Sequence, residues 1–136
     1  MKQSTVFLAG SLVAMAVVSS TSFAQGSVDF GKSEYMASCA SCHGVSAKGD
    51  GAMRTYLTKA PTDLTIMAKR NAGVFPTQYA WEVIDGRTSV VIGSHGAREM
   101  PVWGYIYRAD DTQPADLHAR TRIGSLLDYL ARIQVK

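Results

Sequence analysis

Cys39-Ala40-Ser41-Cys42-His43 is the stretch on which the reading of this chain turns. Two thiols three positions apart, followed at once by an imidazole, have the spacing of a covalent haem attachment site. Each thiol can add across one vinyl group of the porphyrin, and His43 can then bind the iron from one face. These are the only two cysteines in the sequence. A thioredoxin-like redox pair or a plain disulfide is the competing reading, but a redox pair wants a preceding strand and a βαβ context, and neither is visible. A structural zinc site needs four ligands, and no second cysteine pair exists.

Upstream of the motif, Lys2 gives a short positive start, Val6 to Val18 is almost wholly apolar and small, and Ser22-Phe23-Ala24 is a small-x-small pattern. Residues 1–24 therefore read as a cleaved signal peptide, leaving one domain over residues 25–136. The apolar run falls short of the about 20 residues of a membrane span. No stable membrane insertion is expected after cleavage; an uncleaved anchor is the alternative. Export fits the thiols, which must be captured by haem or oxidised in an oxidising compartment. The formal net charge of the full chain is +3. Lys2 leaves with the leader, and two haem propionates would cancel the remaining excess. With no basic run either, nothing supports a nucleic-acid partner.

Working outward, the order reads as helix, long loop, short helix, second helix, long loop, final helix: an all-α fold with three main helices. The first helix is expected from about Asp29, its N-cap, to Cys42. Gly31, Tyr35, Cys39 and Cys42 share one of its faces, and Gly44 can end it. Residues 45–63 read as loop, with too few spaced carboxylates around Asp50-Gly51 for a calcium site. Pro61-Thr62-Asp63 starts a short helical piece through Leu64, Met67 and Ala68, stopped by Gly73. Pro76 opens another helix, with Tyr79, Ala80, Val83 and Ile84 on its apolar face and Gly86 at its end. Thr88 to Ile92 is β-branched and briefly extended. Gly93 to Ala115 has little periodicity, and a long loop of that kind in a small domain usually carries function. The final helix, about Ala115 to Gln134, places Ile123, Leu126, Leu127, Leu130 and Ile133 at helical spacing. Asp116 in its first turn and Arg132 in its last complement the helix dipole.

With haem attached at Cys39 and Cys42, function turns on the second axial position of the iron. An open position binds small molecules; a filled one mainly passes electrons. The candidates are Met36, Met53, Met67, Met100, His95 and His118. Met36 shares a helix with the proximal side, Met67 lies on an apolar stripe, and His118 belongs at the surface in the first turns of the final helix. Met100 lies late in the long loop, where Pro101 stiffens the backbone beside the sulfur. Met100 is favoured, with Met53 and His95 as alternatives, and packing is the commoner role of any methionine.

Cys39-Ala40-Ser41-Cys42-His43-Gly44, Pro61-Thr62-Asp63-Leu64, Met100-Pro101 and the apolar final helix together resemble a class I cytochrome c over the whole mature chain. Residues 95–104 resemble bacterial periplasmic members. The resemblance implies the cytochrome c fold around one covalent haem c, with His43 and Met100 as axial iron ligands. It implies a periplasmic electron carrier rather than an enzyme, with redox proteins as donor and acceptor. It also implies that Gly31 and Tyr35 cross Leu126, Tyr129 and Leu130 of the last helix, and that the Pro61 carbonyl accepts a hydrogen bond from His43. The gap from His43 to Pro61 is longer than in the compact members. Arg87, Trp103 and Tyr56 are candidates for the haem propionates, with solvent or packing as the plain reading of each; Arg98 reads as a surface charge. Two other functions stay open: a haem subunit of a larger periplasmic oxidoreductase complex, and a gas-binding or peroxidase-like protein with an open distal site. Four-helix gas-binding relatives carry the motif near the C-terminus, whereas here it lies near the mature N-terminus.

Overall fold

The computed structural model describes residues 28–86, 99–110 and 114–135. The expected leader, Arg87, the stretch 88–92, His95 and Arg98 lie outside them. Asp29 accepts the Lys32 N–H at 3.0 Å and so caps α1 (Phe30–Ser38), as expected. That helix does not run on to Cys42. The backbone departs from helical geometry at Cys39 (φ −116°, ψ −33°), and a separate turn, α2 (Ala40–His43), follows. The hydrogen-bond ladder passes through the break. The Cys39 N–H reaches the Tyr35 carbonyl at 2.9 Å, and the Cys39 carbonyl takes the Cys42 and His43 N–H groups at 3.2 and 2.9 Å.

The loop after α2 contains a 3₁₀ turn, Ala52–Tyr56. A second 3₁₀ turn, Leu64–Ile66, is capped by Asp63 and runs into α3 (Met67–Arg70). Gly73 closes that piece with its N–H on the Ala68 carbonyl at 2.8 Å. Next comes α4 (Thr77–Asp85), which ends at Gly86 in the left-handed conformation, as the sequence suggests. Its buried stripe differs from expectation. Ala80 and Ile84 are buried and Trp81 packs on the core, whereas Tyr79 is 53% exposed. Positions 80, 81 and 84 form one stripe, and Tyr79 falls on its far edge.

The stretch expected to lack structure between 93 and 115 holds a helix, α5 (Trp103–Ala109). Trp103 and Tyr107, one turn apart, bring their ring centroids to 5.7 Å. Gly104 hides this helix in the sequence, yet the packing requires it. A Cβ there would stand 2.1 Å from Asp85 Oδ1 and 2.5 Å from the Asp85 carbonyl, so bare backbone lets α5 pass the end of α4.

The last helix, α6 (Ala115–Arg132), is the hub on which α1, α4 and α5 pack. Ala119, Ile123, Leu126, Leu127 and Leu130 are its buried stripe, against Tyr35 and Tyr107. Where α1 crosses it, a Cβ on Gly31 would meet the Ser125 carbonyl at 2.0 Å and the Tyr129 Cβ at 2.8 Å. Tyr35 packs beside Tyr129 with centroids 5.3 Å apart. The expected crossing is therefore present, with Ser125 as an unforeseen member. Polar groups tie the same elements. Arg122 grips Glu34 with two bonds of 2.9 and 3.0 Å, and the Tyr107 and Ser38 hydroxyls donate to Glu34 at 2.6 and 2.7 Å. Arg108 pairs with both Asp85 and Asp116. The helix ends two residues before Gln134, whose amide instead takes the Ala68 N–H and donates to the Leu64 and Leu130 carbonyls. Among the described residues the secondary structure is entirely helical.

Candidate functional site

Cys39 precedes, and Cys42 lies within, the single helical turn α2, whose exposed carbonyls need partners. The loop that follows supplies them. Gly44, at φ 80°, donates to the Ala40 carbonyl at 2.9 Å, Gly49 to His43 at 2.8 Å, and Gly51 to Cys42 at 3.1 Å. A side chain on Gly44 would also strike Asp50 Oδ1, 1.9 Å from an added Cβ. The Gly44 carbonyl accepts from the buried Tyr35 hydroxyl at 2.6 Å, which ties the motif back to α1. The Ala47 carbonyl accepts the Leu64 N–H at 2.8 Å and brings the next segment alongside.

That segment orients His43. Its Nδ1 lies 3.0 Å from the carbonyl of Thr62. A carbonyl only accepts, so Nδ1 carries the proton and Nε2 keeps its lone pair. The acceptor expected was Pro61; the structure corrects it to the next residue. The Pro61 carbonyl is turned instead toward Gly49, where an added Cβ would come within 2.1 Å. Burial lowers the His43 pKa and outweighs the raising effect of the Thr62 bond. The ring is thus held neutral, as a metal ligand must be.

Cys39 is buried and Cys42 half-buried, and both are free thiols. Burial, then the charges of Glu34 and Cys42, push the Cys39 thiol up to about 12. Met100 is half-buried and packs on the core cluster that contains Cys39. Of the other candidate ligands, Met36 and Met53 are 42% and 44% exposed, and Met67 packs on the core as expected. His118, expected at the surface, is half-buried, and its Nε2 is buried with no hydrogen-bond partner among the described residues. Trp103 is half-buried beside Tyr107, while Tyr56 is 79% exposed. Among the described residues no cluster of three or more His, Cys, Asp or Glu side chains could hold a bare metal ion. The donors are instead two thiols, one neutral imidazole whose Nε2 is unprotonated, and a thioether packed on the apolar core, a set that suits an iron porphyrin.

Sequence reasoning missed Glu99. Its carboxylate accepts the Thr58 N–H at 2.7 Å, the Thr58 hydroxyl at 2.5 Å and the Lys59 N–H at 3.1 Å. With its partners some forty residues upstream, no local pattern marks it.

The family model described as Cytochrome c matches residues 28–119, about two thirds of the chain, including all of these groups. The chain belongs to the cytochrome c family. No curated protein and no solved structure gave a match. Like its family, this cytochrome binds haem c covalently, with its iron, and transfers electrons; its helical architecture is the cytochrome c fold expected.

Proposed function

We propose that this cytochrome is a periplasmic electron carrier in which Cys39 and Cys42 would form the thioether links while His43 and Met100 would hold the iron. The observation that carries the reading is the His43–Thr62 hydrogen bond. It selects the tautomer, fixes the ring and strengthens donation from Nε2. Haem c supplies a one-electron couple between ferric and ferrous iron. Around it, the Met100 sulfur favours the reduced state because a soft thioether suits ferrous iron. Half-burial of His43 and Met100 acts in the same direction by disfavouring the extra positive charge of the oxidised centre.

If His43 and Met100 both hold the iron, no bond would need to form or break for an electron to pass, which favours a carrier over an enzyme. Its partners are then a redox-protein donor and a redox-protein acceptor. The leader pattern in residues 1–24 supports export, and no helix of the described residues is long and apolar enough to cross a membrane. Met100→Ala tests the ligand assignment. The oxidised protein should lose its sulfur-to-iron charge-transfer band and its potential should fall; an unchanged spectrum would remove Met100 from the iron.

A further inference from the structure

Glu99 stands immediately before the proposed distal ligand, and its carboxylate is exposed. An exposed carboxylate ordinarily exchanges its partners with water. This one instead gathers three donors from one short segment, two of them the backbone amides of the consecutive residues Thr58 and Lys59. The segment it grips is itself fastened to the haem-attachment turn. The Gly51 N–H bonds the Cys42 carbonyl at 3.1 Å, the Arg54 N–H bonds the Gly51 carbonyl at 3.0 Å, and the Leu57 N–H bonds the Arg54 carbonyl at 3.2 Å. Thr58 follows directly. Three hydrogen bonds, the Leu57–Thr58 peptide link and the Glu99 contacts therefore lead from Cys42 to Glu99, next to Met100.

On the other side, Met100 precedes Pro101, which restricts Met100 itself to extended backbone. Beyond the proline, α5 is anchored by the Tyr107 bond to Glu34 and by the Arg108 pair with Asp85. Met100 thus hangs between Glu99, one residue before it, and α5, which begins three residues after it at Trp103. Consecutive Cα atoms are about 3.8 Å apart, so an anchor at Glu99 limits how far the Met100 backbone, from which the sulfur is presented, can move.

We propose that Glu99 is a positioning residue: by clamping Thr58 and Lys59 it holds the Met100 sulfur in place and slows its replacement on the iron. This rests on Met100 being the distal ligand. The test uses the oxidised, haem-loaded full protein, with imidazole as the displacing probe. Three readouts are needed: the sulfur-to-iron charge-transfer band, the rate at which imidazole displaces it, and the urea unfolding midpoint. Glu99→Ala should speed displacement several-fold while the unfolding midpoint stays near wild type. Glu99→Gln keeps one acceptor oxygen but turns an amide NH₂ toward a backbone N–H, and should fall between the two. Thr58→Val, which removes only the hydroxyl donor, should also lie between them. A wild-type displacement rate in Glu99→Ala, with the band present, overturns the role of Glu99 alone. A rate increase matched by a general loss of stability in all three variants overturns it too, since the effect would then be structural. A wild-type protein without the band overturns the Met100 assignment and this proposal with it.

Discussion

The carbonyl of Thr62 can only accept a hydrogen bond, so its contact with His43 Nδ1 decides which ring nitrogen is left for iron. The motif residues were legible because their spacing is local; the acceptor was misread by one residue because it depends on how the 44–51 loop folds beneath α2. A second residue-scale consequence concerns Glu34. Burial raises its pKa, but the bonds from Arg122, Tyr107 and Ser38 outweigh burial and hold it below its ordinary 4.5. Asp110 faces the same guanidinium at 3.1 Å, and Arg122 lies 4.0 Å over the Tyr107 ring. A carboxyl whose folded pKa is depressed contributes stability above the unfolded value and loses it as pH falls through the folded one. Glu34→Gln should therefore cost about 1–2 kcal/mol at neutral pH, allowing for solvent screening. That cost should shrink as pH drops below 4.5. Urea midpoints of the two proteins across this range check it; a constant gap would show that the charge of Glu34 does not matter.

Between elements, the closest approach is α1 on α6. The Ser125 carbonyl is backbone and cannot swing aside, so even one methyl group at Gly31 must push the helices apart. Gly31→Ala should lose about 1–3 kcal/mol by overpacking. An unfolding midpoint at the wild-type value would show that the crossing yields more easily than its geometry suggests. The crossing itself was legible through the family resemblance, which sets Gly31 and Tyr35 against Leu126, Tyr129 and Leu130. α5 was not. Its seven residues include Gly104, a poor helix former, and the reason for that glycine lies in Asp85, nineteen positions away. For α4 the sequence placed the caps correctly but put Tyr79 inside, where Trp81 belongs. A helix of nine residues offers too few turns to fix the angle of its buried stripe.

At the level of the whole molecule, the elements converge on α6, while the haem-bearing turn is held from three directions: by Tyr35, by the 44–51 loop and by Thr62. Haem joined to Cys39 and Cys42 would add the remaining apolar surface to that assembly. Cys39→Ala with Cys42→Ala should yield a chain that retains no haem after denaturing extraction and unfolds at lower urea than the loaded protein. Haem surviving the extraction would contradict attachment at these thiols. The charge of the chain says little about which partners it would meet, because two haem propionates would offset most of its formal excess of +3. The most direct test of the carrier itself is the absorption spectrum of the purified protein, oxidised and then reduced, with and without carbon monoxide at neutral pH. We expect a sulfur-to-iron charge-transfer band in the oxidised form and a reduced spectrum that carbon monoxide leaves unchanged. No such band, together with rapid carbon monoxide binding, would mean an open distal position and a protein that binds small molecules instead.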